Sequence, residues 1–278
     1  MNKLKAVFII SRPVNFVISF FAVIIGAVIA SAHSLNTINI LAGSLASAFA
    51  CSAGNVINDI FDLEIDKINK PGRVLPANLL SVNSAKYLYT VLVIISLVLS
   101  ASNGLWSIIF VSVVNIVLLL YSLYLKKIIL VGNITIAILT SLAVIYGGMI
   151  AGNVRAAFIP ASFALLINLL REIIKDMEDV KGDSDNSVIT FPHKYGFISA
   201  KKIIFVLTFI LMFATLYPFL FKIYRIEYFV VIMIVVNPVL IYFLKSLFED
   251  DSGKNLKRLS FILKLNMLFG LIAIYLGA

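Results

Sequence analysis

Residues 38–66 read INILAGSLASAFACSAGNVINDIFDLEID, and they decide the fold. From Ile38 to Ile57 the chain carries no charge. A helix of about 20 such residues crosses the ~30 Å hydrocarbon core of a bilayer. The run ends abruptly in acid. Asp59, Asp62 and Asp66 stand at i, i+3 and i+7, one face of a helix carried past the membrane edge.

The rest of the 278 residues extends this reading. Apolar residues make up 61% and charged residues 13%, with a mean hydropathy of +1.05. A soluble domain carries about 25% charge. This much apolar surface cannot be hidden from water, so soluble and disordered classes are excluded. Cys51 is the single cysteine and lies in an apolar run, which excludes a disulfide framework. His33 and His193 are far apart, leaving little material for a zinc site.

Nine spans are expected, near 14–32, 38–57, 87–102, 104–124, 128–150, 156–174, 203–221, 226–247 and 259–277. The start resembles a signal peptide, with Lys3 and Lys5 before an apolar stretch and Ala30-Ser31-Ala32 as a mock cleavage site. Arg12-Pro13 interrupts that stretch and many spans follow, so it reads as a retained first helix. The chain is thus expected to be one all-α transmembrane domain over 1–278.

The formal charge is +9. Such a surplus suits nucleic acid, anionic lipid or an anionic substrate. In a membrane chain, part of it is an orientation signal, and no nucleic-acid partner is expected. Of 23 Lys and Arg residues, all but Arg155, Lys222, Arg225 and Lys264 flank the same side. Every acid except Glu227 joins them. The positive-inside rule then places the N-terminus and the long loops 58–86 and 171–202 in the cytoplasm, and the C-terminus outside.

The second of those loops repeats the acidic spacing. Asp176, Asp179 and Asp183 follow the same D-x-x-D-x-x-x-D pattern, four spans further on. An even number of spans puts both clusters on one side and predicts a parallel internal repeat, with halves near 1–125 and 126–278. Like charges at i, i+3 repel, so six carboxylates call for a cationic partner. Hard oxygens without His or Cys point to Mg²⁺, which takes few carboxylates and completes its shell with water and phosphate oxygens. Two ions bridged by a diphosphate, with both clusters meeting over it, fit better than one. Six carboxylates, two Mg²⁺ and a diphosphate of about −3 leave roughly −5, so basic side chains must approach as well. Arg73, Lys67, Arg171, Lys175 and Lys126 are candidates. Lys127 reads as an orientation charge. Arg73 stands in a stiff turn between Pro71 and Pro76.

Asn58-Asp59-x-x-Asp62-x-x-x-Asp66 with Arg73 downstream, the second motif at Asp176, Asp179 and Asp183, Arg12-Pro13 with Asn15, and Tyr121-Ser122-x-x-Leu125-Lys126 together resemble the UbiA superfamily of intramembrane prenyltransferases. Arg171 to Asp179 (REIIKDMED) is similar to the archaeal ether-lipid branch. The resemblance implies a bundle of nine helices around a central cavity open to the cytoplasm. It assigns Asn58, Asp59, Asp62 and Asp66 to Mg²⁺ and the donor diphosphate. Asp176, Asp179 and Asp183 would hold a second metal or position the acceptor, and Arg73, Lys67, Tyr121 and Lys126 would contact diphosphate. Asn15 would touch either substrate.

The expected reaction moves a geranylgeranyl group from its diphosphate to the hydroxyl of geranylgeranylglyceryl phosphate, releasing diphosphate. An aspartate of the second cluster would take the proton. A lipid-phosphate acceptor would suit the basic residues around Arg171, Lys175 and Lys181. Lys194, Lys201 and Lys202 would meet anionic lipid heads, and Lys264 would either snorkel or line the cavity. An aromatic prenyltransferase of quinone synthesis would share the metal residues. A cation-coupled transporter is disfavoured, because its acids would lie near the midplane.

Overall fold

The computed structural model describes residues 3–31, 36–182 and 190–277, and no strand occurs among them. In chain order the helices are α1 (Lys3–Ile10), α2 (Pro13–Ala30), α3 (Thr37–Phe61), α4 (Leu63–Asn69), α5 (Val82–Ala101), α6 (Leu105–Leu123), α7 (Val131–Ile150), α8 (Val154–Gly182), α9 (Phe191–Leu220), α10 (Ile226–Val231), α11 (Asn237–Glu249) and α12 (Gly253–Gly277). A π turn, Ile232–Val236, joins α10 to α11. Among the described residues, nine stretches are long and apolar enough to cross a membrane. The protein is an all-α integral membrane protein.

Several boundaries depart from the sequence expectation. Ahead of the expected first span, Lys3–Ile10 form a helix of their own. Pro13 disfavours helical geometry at the residue before it, and Arg12 adopts the left-handed region at φ 50° and ψ 74°, so the chain bends there. Asp59, Asp62 and Asp66 do not share one unbroken helix. Asp62 sits at φ −89° and ψ 0°, between α3 and α4, although helical hydrogen bonds run through it from Asp62 to Asn58 and from Asp66 to Asp62.

The loop expected over 171–202 is mostly helical. Long charged side chains lose little rotamer freedom in a helix, and Glu172 and Lys175 pair across one turn, so α8 continues to Gly182. Helix α9 starts at Phe191, with Pro192 in its first turn, and kinks at Gly196, where φ is 80°. Asp183 and His33 lie outside the described residues.

The chain forms two compact units. The first comprises Met1–Lys126 with Ala143–Ala157, the second Lys127–Leu142 with Phe158–Ala278. In the first, α3 packs against α2, α5 and α6. Its buried face is built of small residues, among them Gly43, Ser44, Ala46, Ala50, Ala53 and Gly54. Lipid tails are as apolar as leucine, so helices associate through close backbone packing, which small residues permit. Closest of all are Gly26 of α2 and Gly147 of α7. A Cβ on Gly26 would strike the Val144 carbonyl, and one on Gly147 the Val23 carbonyl.

In the second unit, Pro238 cannot donate to the helix ladder and its ring crowds the preceding turn. The helix widens into the π turn before it. Asn266 of α12 donates to the Val236 carbonyl at 3.2 Å, supplying a partner inside the membrane where water does not.

Candidate active site

The first acidic cluster is assembled within the first unit from four separate segments. Helix α3 delivers Asn58 and Asp59 in its last turn. The break supplies Asp62, and α4 supplies Asp66. Each carboxylate meets at least one cation. Arg12, projecting from the α1–α2 bend, donates to Asp59 Oδ1 at 2.5 Å. Arg73 donates to Asp66 Oδ2 at 2.5 Å and lies 3.7 Å from Asp59 Oδ1. Lys126, in the short 3₁₀ turn after α6, donates to Asp62 Oδ1 at 2.5 Å and to Asn58 Oδ1 at 3.2 Å. Asn58 Nδ2 closes the set by donating to Asp62 Oδ2 at 2.8 Å.

Burial makes these carboxylates costly to leave unpaired. Asp59 is 7% exposed and Asp66 4%. Burial alone depresses the pKa of Arg73, but its hydrogen bond with Asp66 and the fields of Asp66, Asp59 and Asp62 outweigh that and raise it. Its guanidinium therefore keeps its charge. A buried carboxylate stripped of its cation is strongly unfavourable, so this end of α3 is built to hold positive charge against three acids.

Asn15 lies nearby and donates to Asn55 Oδ1 at 3.4 Å. Tyr121 is half-buried in the last turns of α6. Lys67 is not brought to the three aspartates. It pairs with Glu64 at 2.7 Å on a half-exposed surface.

The second cluster lies on α8. Asp176 Oδ2 accepts from Asn133 Nδ2 of α7 at 2.9 Å. Glu172 Oε1 takes Lys175 Nζ at 2.5 Å and lies 3.8 Å from Arg171 Nη1. Asp179 follows one turn on and is exposed.

Among the described residues, no three acidic, histidine or cysteine side chains converge as a ready metal ligand set. The donors still suit a hard divalent ion. They are all oxygens, and they lie close enough that Asp59 and Asp66 share Arg73 while Asn58 and Asp62 share Lys126.

Sequence reasoning left Arg12, Asn133 and Glu172 out of the site. Arg12 had a signal, a charge immediately before proline inside an apolar stretch. Asn133 had none, since its partner is 43 residues away.

Three comparisons bear on this arrangement. The model of the UbiA prenyltransferase family matches residues 19–268. The chain is similar to the digeranylgeranylglyceryl phosphate synthase of Methanosphaera stadtmanae, 33% identical over 269 residues and 97% of each chain. It is likewise similar to that of Methanocaldococcus jannaschii, 35% identical over 281 residues, 100% of this chain and 98% of the other. A solved structure of a digeranylgeranylglyceryl phosphate synthase superposes with a TM-score of 0.78 at 33% identity, over 100% of this chain and 99% of that one. The fold is also that of a UbiA homologue from Archaeoglobus fulgidus bound to GPP and Mg²⁺, with a TM-score of 0.73 at 20% identity and coverage of 97% and 99%.

Proposed function

The chain belongs to the UbiA prenyltransferase family and is a membrane prenyltransferase, and from that premise we propose that it transfers a geranylgeranyl group from geranylgeranyl diphosphate to the hydroxyl of geranylgeranylglyceryl phosphate. The acceptor is inferred from relatives that share a third of their residues with this chain along its whole length. The observation that carries the chemistry is the pairing of Asp59, Asp62 and Asp66 with Arg12, Arg73 and Lys126.

On this reading Mg²⁺ would be held by Asn58, Asp59, Asp62 and Asp66, while Asp176, Asp179 and Asp183 of the second cluster would hold a second ion or position the acceptor. Bound there, Mg²⁺ would supply Lewis-acid stabilisation of the leaving diphosphate. The protein's own groups do the rest. Arg73 and Lys126, which the aspartates hold at this end of the bundle, would donate to the diphosphate oxygens. They take up charge as the allylic C–O bond breaks and the electron pair leaves with diphosphate. Arg12 serves the same head from the α1–α2 bend, and Asn58 orients Asp62. The apolar helices exclude the water that would quench the allylic cation. The acceptor hydroxyl then bonds to carbon one, and its proton passes to an aspartate of the second cluster. Asn133 holds Asp176 in place for that role. The charge bias of the loops supports a cytoplasmic N-terminus and site, with the C-terminus outside.

Purified protein in lipid nanodiscs, given geranylgeranyl diphosphate and Mg²⁺, tests this. The expected product is the doubly prenylated glyceryl phosphate, its formation abolished by chelation. Transfer to 4-hydroxybenzoate alone would overturn the assignment.

A further inference from the structure

One charged group inside a span is not used by the mechanism above. Lys264 lies in α12, with apolar residues on both sides of it in sequence. Among the described residues it makes no hydrogen bond and no ion pair. The charged groups that bear on it are Arg171 and Lys175 of α8, both of its own sign.

The packing explains how they come together. Asn168 of α8 touches Met267 of α12, Nδ2 to Sδ 3.6 Å. The two helices are the sixth and ninth spans and therefore run antiparallel. One turn forward from Asn168 is Arg171, and one turn back from Met267 is Lys264, so the two cations stand level. Lys175 follows one turn beyond Arg171. A lysine that only snorkels swings its ammonium away from like charges towards water. Lys264 is half-buried beside two of them. Like charges gathered in a low dielectric repel unless an anion joins them.

Resting on the reading of the acceptor as a lipid phosphate, we infer that Arg171, Lys175 and Lys264 seat the acceptor's phosphate monoester, and that Lys264 selects for it. Glu172 already neutralises one of the three charges, since it pairs with Lys175 and lies near Arg171. With Asp176 and Asp179 left to the metal and proton-accepting side, these four side chains keep an excess of two positive charges, which matches a phosphate monoester of about −1.5 to −2 at neutral pH. A carboxylate or a phosphodiester, each carrying about one negative charge, leaves one cation unmatched. Glu172 also braces the i, i+4 pair on α8, so only Lys264 approaches from the facing helix.

The test uses the full chain in nanodiscs as wild type, Lys264→Met and Lys264→Arg. Binding of the glyceryl phosphate ether is measured without donor, beside binding of the same ether lacking its phosphate. Lys264→Met should weaken binding of the phosphorylated ether about tenfold or more, the loss of one charge-assisted contact. The dephosphorylated ether should bind both proteins alike, Lys264→Arg should retain most of the affinity, and Mg²⁺-dependent binding of geranylgeranyl diphosphate should stay within about twofold. Unchanged affinity in Lys264→Met, or an equal loss for both ethers, would overturn the assignment. So would displacement of the monoester by the phosphodiester lipid of the disc at equal concentration, which would make this a general headgroup contact. Binding that follows this pattern in a wild-type protein unable to prenylate the ether would sustain the phosphate seat and reject the proposed reaction instead.

Discussion

Lys126 touches Asp62 and Asn58 together, and that double contact defines its part. As the cation that answers the break between α3 and α4, it is matched to a carboxylate that Asn58 also holds. Lys126→Ala leaves Asp62 without its counter-charge and the diphosphate without a point charge. The expected result is a fall in kcat/KM of about 10²-fold, the scale of losing one charge-stabilising group. Lys67→Ala, whose partner is Glu64 on the surface, should leave steady-state rates within about twofold, because exposed ion pairs contribute little. On the acceptor side, Asp176→Ala should lower kcat by about 10²-fold or more while donor binding persists. Asp176→Asn, which preserves shape but cannot take a proton, should do the same. Single-turnover product formation separates these outcomes from simple loss of substrate.

At the scale of elements, spans were the part of the fold most open to a sequence reading, because each needs only enough uncharged length. Caps, kinks and extensions were less open. The bend at Arg12 depends on Pro13, and the break at Asp62 leaves the i→i−4 bonds intact, so hydrophobic periodicity carries no trace of it. The extension of α8 to Gly182 was hidden by its charges, which read as loop although such side chains favour helix. For the site, the spacing of the aspartates was legible and their partners were less so. Arg12 reaches Asp59 across 47 residues, a contact that only tertiary packing reveals. The small-residue seam of α2 and α7 offers a separate check. Gly147→Leu must drive a side chain into the Val23 carbonyl. Overpacking of this kind costs about 1–3 kcal/mol. The expected outcome is a lower thermal unfolding midpoint in detergent, with donor affinity kept in whatever fraction remains folded.

The whole molecule is a multi-pass membrane prenyltransferase, and we propose that the charge bias of its loops sets its orientation. In a Cys51→Ser background, a cysteine at Ser252 should resist membrane-impermeant thiol reagents in intact cells, and one at Asn153 should react. The reverse labelling would invert the topology proposed from the basic loops. We propose that the aspartates facing Arg12, Arg73 and Lys126 carry the ionisation of a prenyl diphosphate. This is tested most directly by the initial rate of diphosphate release with Mg²⁺ and both substrates, in wild type and in Asp62→Ala. Release matched one-to-one by prenylated lipid phosphate in wild type, and a rate lower by about 10³-fold in Asp62→Ala, is the expected result. A folded Asp62→Ala protein that turns over at the wild-type rate would contradict it.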